Sequence, residues 1–399
     1  MKVALEPGVR PRLLVMASTY PRWRGDPEPG FVHELSKRLV ERFDVRVLCP
    51  HTDGALPRET LDGVDVVRYR YAPARLEKLV NDGGIVANLK RSPWKWLLVP
   101  GFLACMAFAF LRLTMTWRPN VTHAHWLVPQ GLLAAAASLL GLRYVTTSHG
   151  ADLFALRGAF LRPLKRFVVD RSEATTVVSK AMRDELLRLG APPKKISVLS
   201  MGVDLRNTFT VDPHVERSKD ELLFVGRLVE KKGVGHLLAV LPVVRLRHPK
   251  ATLTIVGFGP EEAALREQSR RLGLEPHVRF VGAIGQVELP AFYRRAALFV
   301  APFVKSSTGD EEGLGLVVVE AIGCGCPVLV GEVAATHDLP VRRVSSVNVG
   351  AFEAAISEML ASGTALQDET ARSRQVCLER FDWDAVAARY AGLLASASV

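Results

Sequence analysis

Short β-branched runs alternate with helical patterns through almost the whole chain, and the alternation stops and restarts once. That grammar narrows the fold more than any single motif does, because parallel strands need a crossover helix between them. In the first half RLLVMAS, DVRVLCP, VDVVRYR, NVTHAH, RYVTTSH, ATTVVS and KISVLS read as strands, with helices predicted near 31–42, 97–117, 130–140, 159–170 and 180–189. The polar stretch RNTFTVDPHVERSKDE has no apolar period and marks a domain boundary. LLFVG, ATLTIVG, VRFVG, ALFVAP and CPVLVG restart the pattern, with helices near 233–247, 260–272, 287–296, 315–324 and 350–361. An amphipathic helix, FDWDAVAARYAGLLASA, closes the chain. The expectation is an α/β protein of two doubly wound domains, 1–205 and 206–380, with a C-terminal helix at 381–399 packing back towards the first. Such domains bind ligands at the carboxyl ends of their strands, here facing one another across a cleft. The strand-to-helix turns are therefore the candidate sites.

VGRLVEKKG, residues 225–233, leaves a buried strand, puts Arg227 directly after Gly226 and brings Lys232 to the next helix start. Two cations beside free helix N–H groups suit a diphosphate, although the Walker spacing is absent. VGFGPEE has Gly257 and Gly259 but lacks the third glycine of a dinucleotide fingerprint, so it reads as a tight turn with a helix start at Pro260. TTSHGADLF ends a strand in His149-Gly150, with Asp152 close behind, and STYPRWRGDPEPGFVHEL is a long first loop around Gly25. GDEEGLGLVVVEA places Glu312 and Glu320 either side of Gly313, Leu314, Gly315 and an apolar run. An acid near a helix N-terminus is favoured by the dipole, which is a structural account of Glu312. Glu320, among valines and alanine, needs a partner.

The 399 residues suffice for two or three cores. Five scattered cysteines point to a reducing compartment rather than a disulfide framework, and Cys324-x-Cys326 reads as small core residues rather than a metal site. The N-terminus, MKVALEPGVRPRLLVMAS, has no apolar run of signal length. Trp96–Leu111 is sixteen uncharged residues, short for a span, and reads as a buried or partly interfacial helix. The net charge of +11 suits nucleic acid, anionic lipid or a phosphorylated small molecule. No zinc-finger spacing, aromatic RNA motif or basic tail supports nucleic acid. In RGAFLRPLKRFVVDR, residues Arg162, Lys165 and Arg166 share one helical face, which predicts a basic stripe for peripheral contact with anionic lipid.

TYPRWRGDPEPGFVHEL, HAHWLVPQGLLAA, TSHGADLF, LSMGVDL, VGRLVEKKG, IVGFGPE and EGLGLVVVEAIGCGCPV occur in that order. Together they resemble the retaining glycosyltransferases of family four, the glycogen-synthase-like group with the GT-B fold, over nearly the whole chain. The resemblance implies two Rossmann-like domains, with a sugar nucleotide held mainly by the second. It implies that Arg227 and Lys232 hold the donor diphosphate, beside Gly226 and the Gly313-Leu314-Gly315 turn. Glu312 would meet the sugar hydroxyls, Glu320 the ribose, and His149 the donor sugar, with the loop around Gly25 closing over phosphate and acceptor. Eight residues of helix span about 12 Å, enough to reach both ends of a sugar–diphosphate–ribose unit. The chain departs from the family at Ala334-Ala335, where a Gly-Gly turn and a longer segment are usual, and at Ser200-Met201, where an Asn is common before Gly202.

The expected protein is a cytoplasmic hexosyltransferase, in peripheral contact with the inner membrane face. It would move a hexose from a nucleoside diphosphate sugar to a glycan or lipid-linked acceptor in surface polysaccharide or glycolipid assembly. No Asp-x-Asp pair follows a strand, so the expectation is no metal and no cofactor beyond the donor. The rival readings are a sugar-nucleotide epimerase or hydrolase on the same fold and a non-catalytic glycan-binding scaffold.

Overall fold

The computed structural model describes residues 10–26, 30–81, 84–155, 158, 160–307 and 309–398. The start of the N-terminal stretch read for a signal, residues 27–29 of the first loop, and Arg157 and Ala159 of the basic segment lie outside them. The chain divides into two compact units. One gathers the chain as far as Val178, Met182–Met201 and the C-terminal stretch from Val386; the other is Ser179–Ala181 with Gly202–Ala385.

The first unit is built on β1 (Arg12–Met16), α1 (Phe31–Leu39), β2 (Asp44–Pro50), β3 (Arg58–Leu61), β4 (Val64–Tyr69), α2 (Ile85–Arg91) and α3 (Val99–Thr116). It continues through β5 (Val121–His125), α4 (Leu132–Ser138), β6 (Tyr144–Ser148), α5 (Leu161–Arg171), β7 (Ala174–Val177), α6 (Lys180–Arg188) and β8 (Ile196–Val198). Its sheet runs β3-β4-β2-β1-β5-β6-β7-β8. Every pair is parallel except β3 against β4. The central strands are buried along their whole length, as parallel strands covered on both faces must be. The order reverses between β1 and β5, which makes the loops after those two strands the crevice of this unit.

The second unit carries β9 (Glu221–Val225), α7 (Val234–Arg247), β10 (Thr252–Val256), α8 (Glu262–Arg271), β11 (Val278–Gly282), α9 (Leu289–Arg295) and β12 (Leu298–Ala301). It goes on through α10 (Leu316–Gly323), β13 (Val328–Gly331), β14 (Arg342–Val344), α11 (Val349–Ala361), α12 (Thr364–Phe381) and the start of α13 (Trp383–Ser398). Its sheet is wholly parallel in the order β11-β10-β9-β12-β13-β14, so the reversal falls between β9 and β12. Its core joins β9, β10 and β12 to α7 and α11 through Phe224, Ile255, Val300, Leu237, Leu241 and Phe352. The later part of α13 belongs to the first unit, where the Tyr390 hydroxyl donates to the Leu199 carbonyl at 3.1 Å.

Two sequence expectations need correction. The helix predicted near 97–117 is present as α3, led in by a 3₁₀ turn at Pro93–Leu98, but only 22% of its apolar window is buried, so the Trp96–Leu111 stretch is not a buried core helix. The stripe on α5 is not continuous: Lys165 is buried and its Nζ donates to the Leu153 carbonyl at 2.9 Å. Arg166, one position on, is exposed but paired with Asp170 at 3.3 Å. Spacing places residues on a common face; it does not say that the face meets water.

Candidate active site

The reversal of strand order in the second unit brings two loops together, 226–233 after β9 and, after β12, the described residues 302–307 and 309–315. Gly233 turns with φ 69°, and a Cβ there would lie 1.9 Å from the Pro302 carbonyl oxygen, so only glycine lets the loops approach this closely. Gly257, after β10, has the same role: a Cβ would meet the Gly226 carbonyl oxygen at 1.9 Å. The turn read there is present, with α8 starting at Glu262 rather than Pro260.

Three successive residues of the first loop hold the second. The Glu230 carboxylate accepts from the Ser307 N–H at 2.7 Å and its hydroxyl at 2.8 Å. Lys231 pairs with Asp310 at 3.2 Å and donates to the Glu311 carbonyl. Lys232 Nζ stands 2.8 Å from Glu312 Oε2 as a charge contact, since no aligned donor reaches that buried oxygen. The same ammonium sits 4.7 Å from the centre of the Phe303 ring. Burial alone would raise the Glu312 carboxyl, but the charges of Lys232 and Lys231 outweigh it and hold the pKa below the usual carboxylate range. Arg227 is exposed and makes no ion pair with a described residue.

Glu312 is therefore not a first-turn acid of α10. The helix begins at Leu316, with Gly315 as its N-cap at φ 81° and no side chain capping it. Only part of the distance between Glu312 and Glu320 is helical, so the simple helical span predicted from sequence does not apply. The uncapped first turn leaves N–H groups open to an anion beside Lys232. Gly313 is partly exposed and Leu314 buried.

Glu320 already has a protein partner, which the sequence reading missed. The Tyr293 hydroxyl, from α9, donates to its Oε2 at 3.0 Å. Burial pushes the Glu320 carboxyl up to about 7, against the Tyr293 bond and the Lys232 charge, both of which pull it down. The other oxygen, Oε1, has no hydrogen bond to a described residue. Cys324 and Cys326 are buried. Among the described residues no cluster of three or more His, Cys, Asp or Glu has metal-binding geometry.

In the first unit His149 ends β6 next to the corresponding crevice. Its ring lies 4.9 Å from Phe31, 5.0 Å from Trp126 and stacked at 5.1 Å on His125, centre to centre. One of the two histidines donates to the other, with His125 Nδ1 2.9 Å from His149 Nε2. Burial pushes His149 down to about 3, so the ring is neutral and only Nδ1 remains for a further contact. Asp152 ties the turn by accepting from the N–H of Leu127, the Ser148 hydroxyl and the N–H groups of His149 and Gly150. Gly25, at φ 82°, sits in a turn closed by Arg22 bonding to Asp26, and nothing lies within 4 Å of where its Cβ would be.

Two doubly wound domains, one with cations and an uncapped helix at its point of strand reversal, define a class of protein that binds phosphorylated nucleotides. The chain belongs to the family-four glycosyltransferases. Residues 31–207 match the family model Glycosyltransferase Family 4, and residues 209–365 match Glycosyl transferases group 1. A glycogen synthase of Mycobacterium tuberculosis is 30% identical over 94% of this chain and 92% of its own length. A GDP-mannose-dependent alpha-(1-6)-phosphatidylinositol monomannoside mannosyltransferase of the same organism is 29% identical over 67% of this chain and 73% of its own. Among solved structures, sucrose-phosphate synthase of Thermosynechococcus elongatus superposes with a TM-score of 0.76 at 18% identity, covering 97% of this chain and 99% of that one. Anabaena HepE, solved with UDP and glucose, gives 0.70 at 16% identity over 97% of this chain and all of that one. The fold is that of the GT-B glycosyltransferases.

Proposed function

We propose that the chain transfers a hexosyl group from a nucleoside diphosphate sugar to an acceptor hydroxyl with retention at the anomeric carbon. The observation that carries this is the Lys232–Glu312 pair, with the exposed Arg227 in the same loop as Lys232 and an uncapped helix at the strand reversal of the second unit. In this reading an incoming diphosphate takes Lys232 and Arg227 as counter-charges and accepts from the N–H groups at the start of α10. Glu312, freed from Lys232, turns its carboxylate to the donor sugar hydroxyls. Glu320 accepts from the ribose with Oε1 while Tyr293 holds Oε2. For His149 and the loop around Gly25 the family resemblance supports contacts with the donor sugar, phosphate and acceptor, and the neutral His149 ring keeps Nδ1 for such a contact. As the C–O bond to the anomeric carbon breaks, the leaving diphosphate takes up the electron pair. The acceptor oxygen attacks from the same face and its proton passes to the departing phosphate.

The cations and helix terminus supply the positive charge that the leaving group needs, which supports turnover without a divalent metal. The glycogen synthase and mannosyltransferase relatives support a glycan or lipid-linked acceptor in polysaccharide or glycolipid assembly. Five unpaired cysteines support a cytoplasmic location. The test is a thermal-shift panel of UDP, GDP and ADP and their hexoses, since a ligand of the native state raises the melting temperature by mass action. One base should stand out, and its shift should vanish in Arg227→Ala. A flat panel would refute the proposal.

A further inference from the structure

The outward face of α3 has no part in that reading. The helical segment Pro93–Thr116 runs for 24 residues, and the apolar window within it has a mean hydropathy of 1.9 with only 22% of that window buried. Its inward stripe is narrow: Leu98, Phe102, Met106 and Phe110, spaced four apart, pack on Leu14, Leu48, Tyr69 and Tyr71 of the sheet and its loops. The opposite face is apolar too. Leu97 is 82% exposed, Phe108 70% and Met115 68%, with Leu111 completing the stripe. Trp94 and Trp96 stand exposed where the segment begins. A folded monomer rarely leaves so much contiguous apolar surface in water without a use for it.

The charge around that face identifies what covers it. From Ile85 to Asn120 the chain has five cations, Lys90, Arg91, Lys95, Arg112 and Arg118, and no Asp or Glu. Lys95 is engaged by Asn88, whereas Lys90 and Arg91, before the apolar stripe in the chain, and Arg112 and Arg118, near and beyond its end, are exposed. An apolar face with tryptophans at one end and basic residues flanking it is the pattern of a helix lying in the interface of an anionic bilayer. A second copy of the chain would set these cations against themselves. A spanning helix would have to withdraw Phe102, Met106 and Phe110 from the core. We propose that α3 docks this protein in the plane of an anionic lipid surface, without crossing it. This surface replaces the α5 stripe as the membrane contact, and it does not depend on the catalytic reading.

Co-sedimentation tests it, using vesicles of phosphatidylcholine alone and of equal parts phosphatidylcholine and phosphatidylglycerol. The full chain should pellet with the mixed vesicles, and high salt should weaken binding. Arg91→Glu with Arg112→Glu should lower partitioning by at least about 25-fold, roughly fivefold for each cation removed. Phe108→Glu with Met115→Glu should abolish it, and the milder Phe108→Ser with Met115→Ser should reduce it. Each variant must keep the wild-type melting temperature and far-ultraviolet dichroism, which separates docking from folding. Arg162→Glu with Arg166→Glu, on α5, should bind as the wild type does. Equal binding to neutral and mixed vesicles would overturn the proposal. So would retention in membranes through an alkaline carbonate wash, or a Phe108/Met115 variant that splits a dimer and still binds vesicles.

Discussion

Glu320 makes the fold sensitive to pH in a direction opposite to that of an ion-paired carboxylate, and no ligand is needed to see it. Its carboxyl stands at about 7 in the folded protein against an ordinary value of 4.5, chiefly because burial disfavours the charge. Below 4.5 the group is protonated in both states and folding is unpenalised. Between 4.5 and about 7 the unfolded chain gives up its proton while the folded one keeps it, so stability falls as the pH rises. Above that window both states are ionised and the native state bears the whole desolvation penalty. The difference between the two ends is about 3 kcal/mol. Gln at 320 buries no charge and still offers Tyr293 an acceptor oxygen. The stability gain of Glu320→Gln over the wild type should therefore be small near the acid end and grow to about 3 kcal/mol at pH ~8, raising the melting transition of the second unit by roughly 6–12 °C. Calorimetric scans of both proteins across a pH series give this difference directly, and slopes from other groups cancel in it. A gain that does not change with pH, or a Gln variant that is the less stable at the alkaline end, would refute the argument. An acid that destabilises its own helix at neutral pH is explained if ligand hydroxyls hydrogen-bond its ionised form.

Glu312 works in the other sense: its pKa is depressed, so its pair with Lys232 adds stability at neutral pH that is lost as the pH falls through that pKa. Arg227→Ala and Lys232→Ala should each weaken nucleoside diphosphate binding by about 2–5 kcal/mol in calorimetry. Lys232→Ala should also lower the melting temperature, because it leaves Glu312 buried without its counter-charge, and equal melting of the two variants would count against the pair. Glu312→Gln should reduce kcat more than nucleotide affinity and Glu320→Gln the reverse; identical profiles would remove the sugar-versus-ribose assignment. Turnover should survive saturating EDTA, and activity lost to the chelator and restored by Mn²⁺ or Mg²⁺ would show that a divalent ion is required.

The parallel core was legible because strands buried on both faces must be apolar along their whole length. β3, RETL, and β14, RRV, escaped for the same reason reversed: they are sheet edges with exposed polar residues, and nothing in their composition announces a strand. α12 escaped because TALQDETARSRQVCLERF is too polar to show an inward stripe. At the site, glycines and cations in strand-to-helix turns were readable one turn at a time, but their mutual contacts were not. Lys231-Lys232 complements Asp310-Glu311-Glu312, a pairing of opposite charges that is visible in the sequence once the two loops are known to be neighbours. Tyr293 gave no such signal, since it lies 27 residues from Glu320 and on a different helix.

Lys165 and α3 show what periodicity leaves undetermined. On α5 the pattern groups Arg162, Lys165 and Arg166, but the Leu153 carbonyl draws the lysine inward and Asp170 neutralises its neighbour. On α3 the residues are apolar nearly all round, so the period says little about which side is buried; the sheet takes Phe102, Met106 and Phe110 and leaves Phe108 and Met115 outside. In both helices the missing information is the position of the rest of the fold, which decides whether a face meets protein or solvent. For α3 that decision leaves an apolar surface between basic ends, and the solvent it matches is the interface of an anionic bilayer rather than bulk water.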